Sequence, residues 1–168
     1  MRPKKDFVVF RQQQVNEDPE ELFRKAELLE EAGDLPSAFV CVLRAAKQGH
    51  VLSELSVGNK YAAGEGVVLD SRQAEYWYKR AYHNGLSAGA LNLAIDRRNA
   101  GRVRSAFIWF RRAVEMGDGN AMLELAQMYL AMKRKAEART LLESTQRLGR
   151  EGISEEDQAT ASLLLQKL

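Results

Sequence analysis

Few side chains in this sequence have the types and spacing that catalysis or metal binding would require. Its two histidines, His50 and His83, have no cysteine or carboxylate pair nearby at the spacing of zinc ligands. Its single cysteine, Cys41, has no histidine or basic residue beside it that would turn the thiol into a reactive thiolate. The sequence therefore predicts no metal site and no catalytic cysteine, and Cys41 is interpreted as a buried, reduced thiol.

Phosphate binding and acid–base catalysis also lack the residues they need. Gly64-Glu-Gly66 is not followed by the lysine and serine or threonine of a phosphate-binding loop, and no apolar strand precedes it. The carboxylates of Glu30-Glu31 and of Glu155-Glu156 belong to adjacent residues, which diverge around a helix. We therefore predict no enzyme activity, no cofactor and no small-molecule substrate. A regulatory subunit of an enzyme stays open as an alternative.

The composition fits a soluble protein with one domain or a small repeat array. Of the 168 residues, 45% are hydrophobic, which is enough for a continuous core, and the formal net charge of +2 indicates no class of partner. The apolar run Phe7–Phe10 is too short for the core of a signal peptide, and no apolar run has the length needed to span a bilayer. A cytoplasmic protein without membrane contact is expected.

A glycine recurs at intervals of 36, 32 and 32 residues, which indicates an internal repeat. The four positions are Gly49, Gly85, Gly117 and Gly149. An alanine stands eleven residues before each of them, and these alanines are Ala38, Ala74, Ala106 and Ala138. Residues of the kind found in protein cores follow three and four positions after each alanine, so they share one helical face with it. Each repeat is therefore predicted to contain a helix that ends at its glycine.

Small residues at Gly58, Ala94 and Ala126 mark another helix before these, so the chain is predicted to form four antiparallel helix pairs. The first helices are predicted at 19–32, 51–63, 87–99 and 119–131. The second helices are predicted at 35–48, 71–84, 103–116 and 134–148. The repeats then span 19–150, after an arm at 1–18 that is expected to be extended or disordered.

Residues 154–168 are predicted to form a helix that caps the array. Ser154-Glu-Glu-Asp157 is typical of a helix N-terminus, and leucines follow it. A terminal repeat cannot bury both of its faces alone, so a cap is expected there. The alternative is a frayed tail.

The stretch Gly64-Glu-Gly-Val-Val-Leu-Asp-Ser-Arg-Gln-Ala-Glu-Tyr-Trp-Tyr-Lys-Arg-Ala81 resembles the Sel1-like repeat, whose pattern is GxGVxxDxxxAxxWYxKA. This family is related to the tetratricopeptide repeat and has a longer turn between its helices. The other units have shorter turns and are variants of the pattern. The resemblance implies an all-α protein, a right-handed α-α solenoid of about four helix-turn-helix repeats with a C-terminal capping helix.

In tetratricopeptide-like solenoids the first helix of each pair lines the concave surface, so the resemblance implies a partner-binding groove there. The residues predicted to line it are Phe23, Leu52, Leu55, Asn59, Leu91, Ile95, Arg98, Leu123, Gln127 and Leu130. Four of them recur at one register position and form an apolar stripe: Phe23, Leu55, Leu91 and Leu123. Two alternatives stay open. The stripe is ordinary core between successive first helices, or the arm Phe7–Phe10 fills the groove.

The function predicted from these features is a non-enzymatic adaptor or inhibitor that binds a peptide or helix of another protein. Small Sel1-like proteins of bacteria include immunity proteins against secreted toxins, so the resemblance also implies that role. Acidic residues cluster in the first helix pair and arginines lie later in the chain. Nucleic-acid binding is the weaker alternative, because exposed aromatic residues are not interleaved with the candidate arginines, which are Arg102, Arg104, Arg111 and Arg112.

Binding of a chaperone C-terminus is not expected. Asn59 and Asn92 match the positions of the carboxylate-binding asparagines in co-chaperone tetratricopeptide domains. The cations of that site are missing, because Leu55, Asn120 and Glu124 stand in their places.

Overall fold

The computed structural model describes residues 17–148 and 152–168, and the regular structure within these ranges is entirely α-helical. The helices are α1 (Pro19–Glu31), α2 (Leu35–Lys47), α3 (Val51–Ala63), α4 (Ser71–His83), α5 (Ser87–Asn99), α6 (Val103–Glu115), α7 (Gly119–Ala131), α8 (Lys135–Leu148) and α9 (Glu155–Gln166). The predicted helices are confirmed, and their ends differ from the prediction by at most two residues. Residues 1–16, with the predicted arm segment Phe7–Phe10, and Gly149 lie outside the described residues.

The helices form four antiparallel pairs, here called units 1 to 4 (α1–α2, α3–α4, α5–α6 and α7–α8). The second helix of each unit packs on the first helix of the next unit, and α9 packs on α8 and α7. The four repeat alanines, Ala38, Ala74, Ala106 and Ala138, are all 0% exposed. A methyl group at these positions lets neighbouring helices approach closely, and the stacked pairs form the predicted α-α solenoid.

Aspartates begin several of the helices. The carboxylates of Asp34, Asp70 and Asp118 accept hydrogen bonds from backbone N–H groups of α2, α4 and α7, at 2.9–3.2 Å. Each bond satisfies an N–H group that has no partner inside the helix. The α3, α5 and α6 helices begin without a side-chain cap.

The long turn of unit 2 is fixed by a close backbone contact with unit 1. Gly66 has a φ of +70°, a conformation that opposes a β-carbon, and a β-carbon built there would lie 2.1 Å from the carbonyl oxygen of Leu35 at the start of α2. The two glycines of this turn therefore differ in their surroundings, because a β-carbon added at Gly64 would collide with no backbone atom. The short turns of units 1 and 3 also use glycine at positive φ, at Gly33 and Gly101.

The C-terminal helix covers the end of the array. Ala161 is 0% exposed and Ile153 is 5% exposed, and both pack in a cluster with Ala138 and Leu142 of α8. Leu164, Leu165 and Leu168 pack against the same cluster. The predicted capping helix is therefore confirmed.

We predict that Gly66→Ala destabilises the protein more than Gly101→Ala does. Both residues have a φ near +70°, but a β-carbon at Gly101 would meet nothing within 4 Å. The left-handed backbone alone costs about 1–2 kcal/mol, and the collision of Gly66 with Leu35 adds about 1–3 kcal/mol. Urea unfolding of the two variants measures the difference. Equal losses would show that the turn does not depend on its contact with α2.

Candidate partner-binding surface

The residues predicted to bind a partner all lie on the first helices of the units, and their exposure varies. Leu52 is 51% exposed, and Asn59 and Gln127 are also exposed. The half-buried members are Phe23, Leu55, Leu91, Ile95, Arg98 and Leu130. The predicted residues therefore do not form one continuous open groove.

The apolar stripe is largely packed inside the array. Leu55 and Leu91 pack against the core that joins units 2, 3 and 4. The ring of Phe23 lies 5.1 Å from the ring of His50 in the next unit. The prediction that Leu123 faces a groove is wrong, since it is 4% exposed and packs with Ile153 and the α9 cap. The alternative, that the stripe is ordinary core, is correct for Leu123. At the equivalent positions Phe23, Leu55 and Leu91 it applies to the buried part of each side chain.

Polar side chains connect the first helices of successive units. Lys60 of α3 forms an ion pair with Glu30 of α1, with Nζ 2.6 Å from Oε1. The Nδ2 of Asn92 on α5 donates to the Oδ1 of Asn59 on α3, at 2.8 Å. Arg98 of α5 forms an ion pair with Glu124 of α7. Arg98 is therefore half-buried and neutralised, and does not present a free cation.

The side-chain amide of Asn59 is held in one orientation by a buried tyrosine. The hydroxyl of Tyr78 on α4 donates to the Oδ1 of Asn59 at 3.0 Å, so that this oxygen accepts from both Tyr78 and Asn92. The Nδ2 of Asn59 and the Oδ1 of Asn92 have no hydrogen bond to the described residues. One amide therefore offers a donor to a partner, and its neighbour offers an acceptor.

Two glycines leave the space that Tyr78 occupies between α3 and α5. A β-carbon at Gly58 of α3 would lie 2.6 Å from the Tyr78 ring, and one at Gly89 of α5 would lie 2.4 Å from the Tyr78 carbonyl oxygen. Burial raises the pKa of the Tyr78 hydroxyl, and the carboxylate of Asp96 raises it further. The phenol therefore stays protonated and remains a donor to Asn59.

A buried carboxylate joins α3 to α4 within unit 2. Glu54 of α3 is 0% exposed, its Oε1 lies 2.7 Å from Nη2 of Arg80, and its Oε2 accepts from Asn84 at 2.8 Å. The guanidinium of Arg80 also lies 5.0 Å from the centre of the Trp77 ring. Neither Glu54 nor its pairing with Arg80 was predicted from the sequence. The available signal was its register, because Glu54 stands where unit 1 has Leu22 and unit 3 has Ala90.

A line of serine, histidine and glutamate side chains resembles a hydrolytic triad but cannot act as one. His50 Nδ1 lies 2.7 Å from Ser53 Oγ, and His50 Nε2 lies 3.2 Å from Glu20 Oε2. Ser53 is 0% exposed, so its hydroxyl has no access to a substrate. These contacts join the start of α3 to α1. Among residues 17–148 and 152–168, no three histidine, cysteine or acidic side chains are grouped so as to hold a metal ion.

Solved structures that are similar to this chain include proteins from three organisms. A Sel1 repeat protein from Oxalobacter formigenes is 20% identical with a TM-score of 0.75, and the likeness covers 94% of this chain and 66% of that protein. A protective antigen of uropathogenic Escherichia coli with the SLR fold is 27% identical with a TM-score of 0.70, over 79% and 31% of the two chains. An immunity protein from Pseudomonas aeruginosa is 19% identical with a TM-score of 0.57, over 77% and 53%.

These comparisons confirm the Sel1-like repeat fold that residues 64–81 indicated. This chain spans less than two thirds of the length of each of the three proteins. No protein-family model and no curated protein matches the sequence. No helix in the described residues has both the length and the apolar character needed to cross a bilayer.

We predict that Tyr78→Phe lowers the free energy of unfolding by about 1 kcal/mol, because it removes a buried hydrogen bond without leaving a cavity. Tyr76→Phe is the matched control, since Tyr76 is 51% exposed and lies two residues earlier on the same helix. Urea unfolding monitored by circular dichroism compares the two. An unchanged free energy of unfolding for Tyr78→Phe would show that the hydrogen bond to Asn59 adds nothing to the stability.

The free energy of unfolding is also predicted to depend on pH through the carboxyl group of Asp96. Burial raises the pKa of this carboxyl above its ordinary value of 3.8, and the charge of Glu75 adds to the rise while that of Arg97 opposes it. Ionisation is therefore harder in the folded state, so the Asp96 contribution to stability falls as the pH rises from about its ordinary pKa through the raised one. Asp96→Asn should remove this fall and raise the stability more at pH 7 than at pH 4. Urea unfolding at both pH values measures it, and an equal effect at both would contradict the prediction.

Proposed function

We propose that this Sel1-like repeat chain is a non-catalytic protein-binding module that holds an extended segment of another protein along its first helices. The observation that carries the proposal is the pair Asn59 and Asn92, whose amides are oriented by each other and by buried Tyr78. Leu52, 51% exposed on the same helix as Asn59, adds an apolar contact nearby.

The chemistry of the pair fits a peptide backbone. Each peptide unit in an extended segment carries one N–H donor and one C=O acceptor that require partners. The free Nδ2 of Asn59 supplies a donor, and the free Oδ1 of Asn92 supplies an acceptor. Because Tyr78 already fixes the Asn59 amide, little conformational entropy is lost when a peptide binds.

An internal segment fits this surface better than a chain terminus. A terminal carboxylate needs unpaired cations, and Arg98 already forms an ion pair with Glu124. Leu55 and Asn120 are uncharged, so neither can supply one. The proposed ligand is therefore the middle of a peptide segment and not its C-terminal carboxylate.

Inhibition of a toxin is one role that such a module would serve. The fold is shared with an immunity protein from Pseudomonas aeruginosa, which supports this narrower proposal. Its test is expression of a candidate toxin encoded beside the gene of this chain. The wild-type chain should restore growth and the variant Asn59→Ala/Asn92→Ala should not; a toxin that this chain never neutralises would remove the narrower role alone.

We predict that Asn59→Ala weakens binding of peptides selected from a random library against this chain by about 5–30-fold, which corresponds to one or two lost hydrogen bonds. Gln73→Ala is the control, because it removes an exposed side-chain amide from α4, a second helix. Fluorescence anisotropy gives the affinities. Peptides that lose affinity with Gln73→Ala but not with Asn59→Ala would place the binding surface elsewhere and contradict the proposal.

A further inference from the structure

An apolar cleft opens where the turn of unit 4 meets the start of α6. It has a volume of about 320 Å³ and is lined by Val103, Arg104, Phe107, Met132 and Arg134. Val103 is 52% exposed and Met132 is 46% exposed, although both are apolar. The ring of Phe107 forms part of the lining and is held edge-on against Tyr129, with ring centres 5.4 Å apart.

A larger polar cavity adjoins this cleft through consecutive residues. Arg102 lines the polar cavity, and Val103 and Arg104 line the apolar cleft. The polar cavity has a volume of about 620 Å³ and also contains Glu75 and Arg97, which form an ion pair with each other. The two cavities are neighbours at Arg102 and Val103, on the turn side of units 2 to 4, and are here called together the turn edge.

The turn edge carries an excess of unpaired positive charge, although the carboxylate of Asp96 also lines the polar cavity. Arg72, Arg102 and Arg104 line the two cavities, and none of them has an acidic partner among the residues that the structure describes. Arg134 differs from them, because its guanidinium pairs with Glu137 and lies 4.8 Å from the centre of the Tyr129 ring. Arg102 and Arg104 are exposed, so their charges are available to a ligand that also reaches the cleft.

We propose that the turn edge is a second interaction surface, which binds an acidic segment of another protein through one apolar side chain. The apolar side chain enters the cleft of Val103, Phe107 and Met132, and carboxylates beside it pair with Arg102 and Arg104. Charge complementarity selects an acidic ligand, and the cleft requires an apolar anchor. Neither Asn59 nor Asn92 lines these cavities, so the proposal does not use the amide pair.

Nucleic acid fits the turn edge less well than an acidic peptide. A phosphate backbone pairs with arginines but places no apolar side chain in the cleft. Two of the four arginines in the nucleic-acid hypothesis are also engaged elsewhere. The guanidinium of Arg112 lies 4.2 Å from the centre of the Trp109 ring, and Arg111 lies 3.4 Å from Glu115.

The test uses the full chain and a fluorescein-labelled peptide of aspartate and glutamate residues around one central leucine. The peptide should bind at low salt, and Arg102→Glu/Arg104→Glu should weaken binding by about tenfold or more. Arg24→Glu/Lys25→Glu is the matched control, because it makes the same change in charge at two exposed residues of α1. That control should leave the affinity within about twofold.

The leucine tests the cleft separately from the charges. Replacing it with alanine should weaken binding to the wild-type chain by about fivefold. In the variant Met132→Ser the cleft has lost part of its apolar lining. Replacing the peptide leucine with alanine should therefore weaken binding to this variant little or not at all. Circular dichroism confirms that each variant is folded, so a loss of binding is not a loss of structure.

Any of the following results would overturn the proposal. One is an acidic peptide that fails to bind, or that loses the same affinity with both charge-reversal variants. Another is a single-stranded oligonucleotide that binds more tightly than the peptide and is unaffected by Met132→Ser, which would favour nucleic acid. The last is self-association of the chain that Arg102→Glu/Arg104→Glu abolishes. The turn edge would then bind the acidic first helix pair, α1–α2, of a second copy.

Discussion

Small side chains at the helix contacts control the separation of the units, and the rest of the structure follows from that separation. Ala74 and Ala106 are 0% exposed at equivalent positions, and Gly58 and Gly89 have no room for a β-carbon. At these distances the ring of Tyr78 is enclosed by α3 and α5. The same close approach brings Asn59 and Asn92 within hydrogen-bonding distance, so core packing determines the geometry of the proposed binding pair.

Charged groups inside the array add specificity to this packing. Glu54 is fully buried in unit 2, where its carboxylate pairs with Arg80 and Asn84 of the same unit. Because a buried charge without partners is strongly unfavourable, this pairing fixes how α3 packs on α4. The ion pair of Lys60 with Glu30 instead joins unit 2 to unit 1, and Lys60 is 3% exposed. A different neighbour for unit 2 would leave Lys60 without that partner, so this pair favours the observed order of stacking.

The helices could be predicted from the sequence because their signals are local and repeated. Glycines, alanines and aromatic pairs at fixed offsets mark where each helix lies and which face is buried. The candidate binding residues were harder to predict, because the exposure of a side chain depends on residues from distant parts of the chain that pack on it. Leu123 shares its register with Leu55 and Leu91, and only the position of α9 shows that it is covered. The orientation of Asn59 depends on Tyr78, and the cleft beside Val103 depends on Met132 of the next unit.

The position of α9 restricts how such an array can change length during evolution. This helix covers the faces of α7 and α8 that would otherwise receive another hairpin. Gene duplication at that end would separate Ile153 and Ala161 from the surface they bury. Duplication of an internal hairpin would keep α9 in place and lengthen the proposed binding face by one helix. Diversification of partner length is therefore expected to arise from the middle of the array.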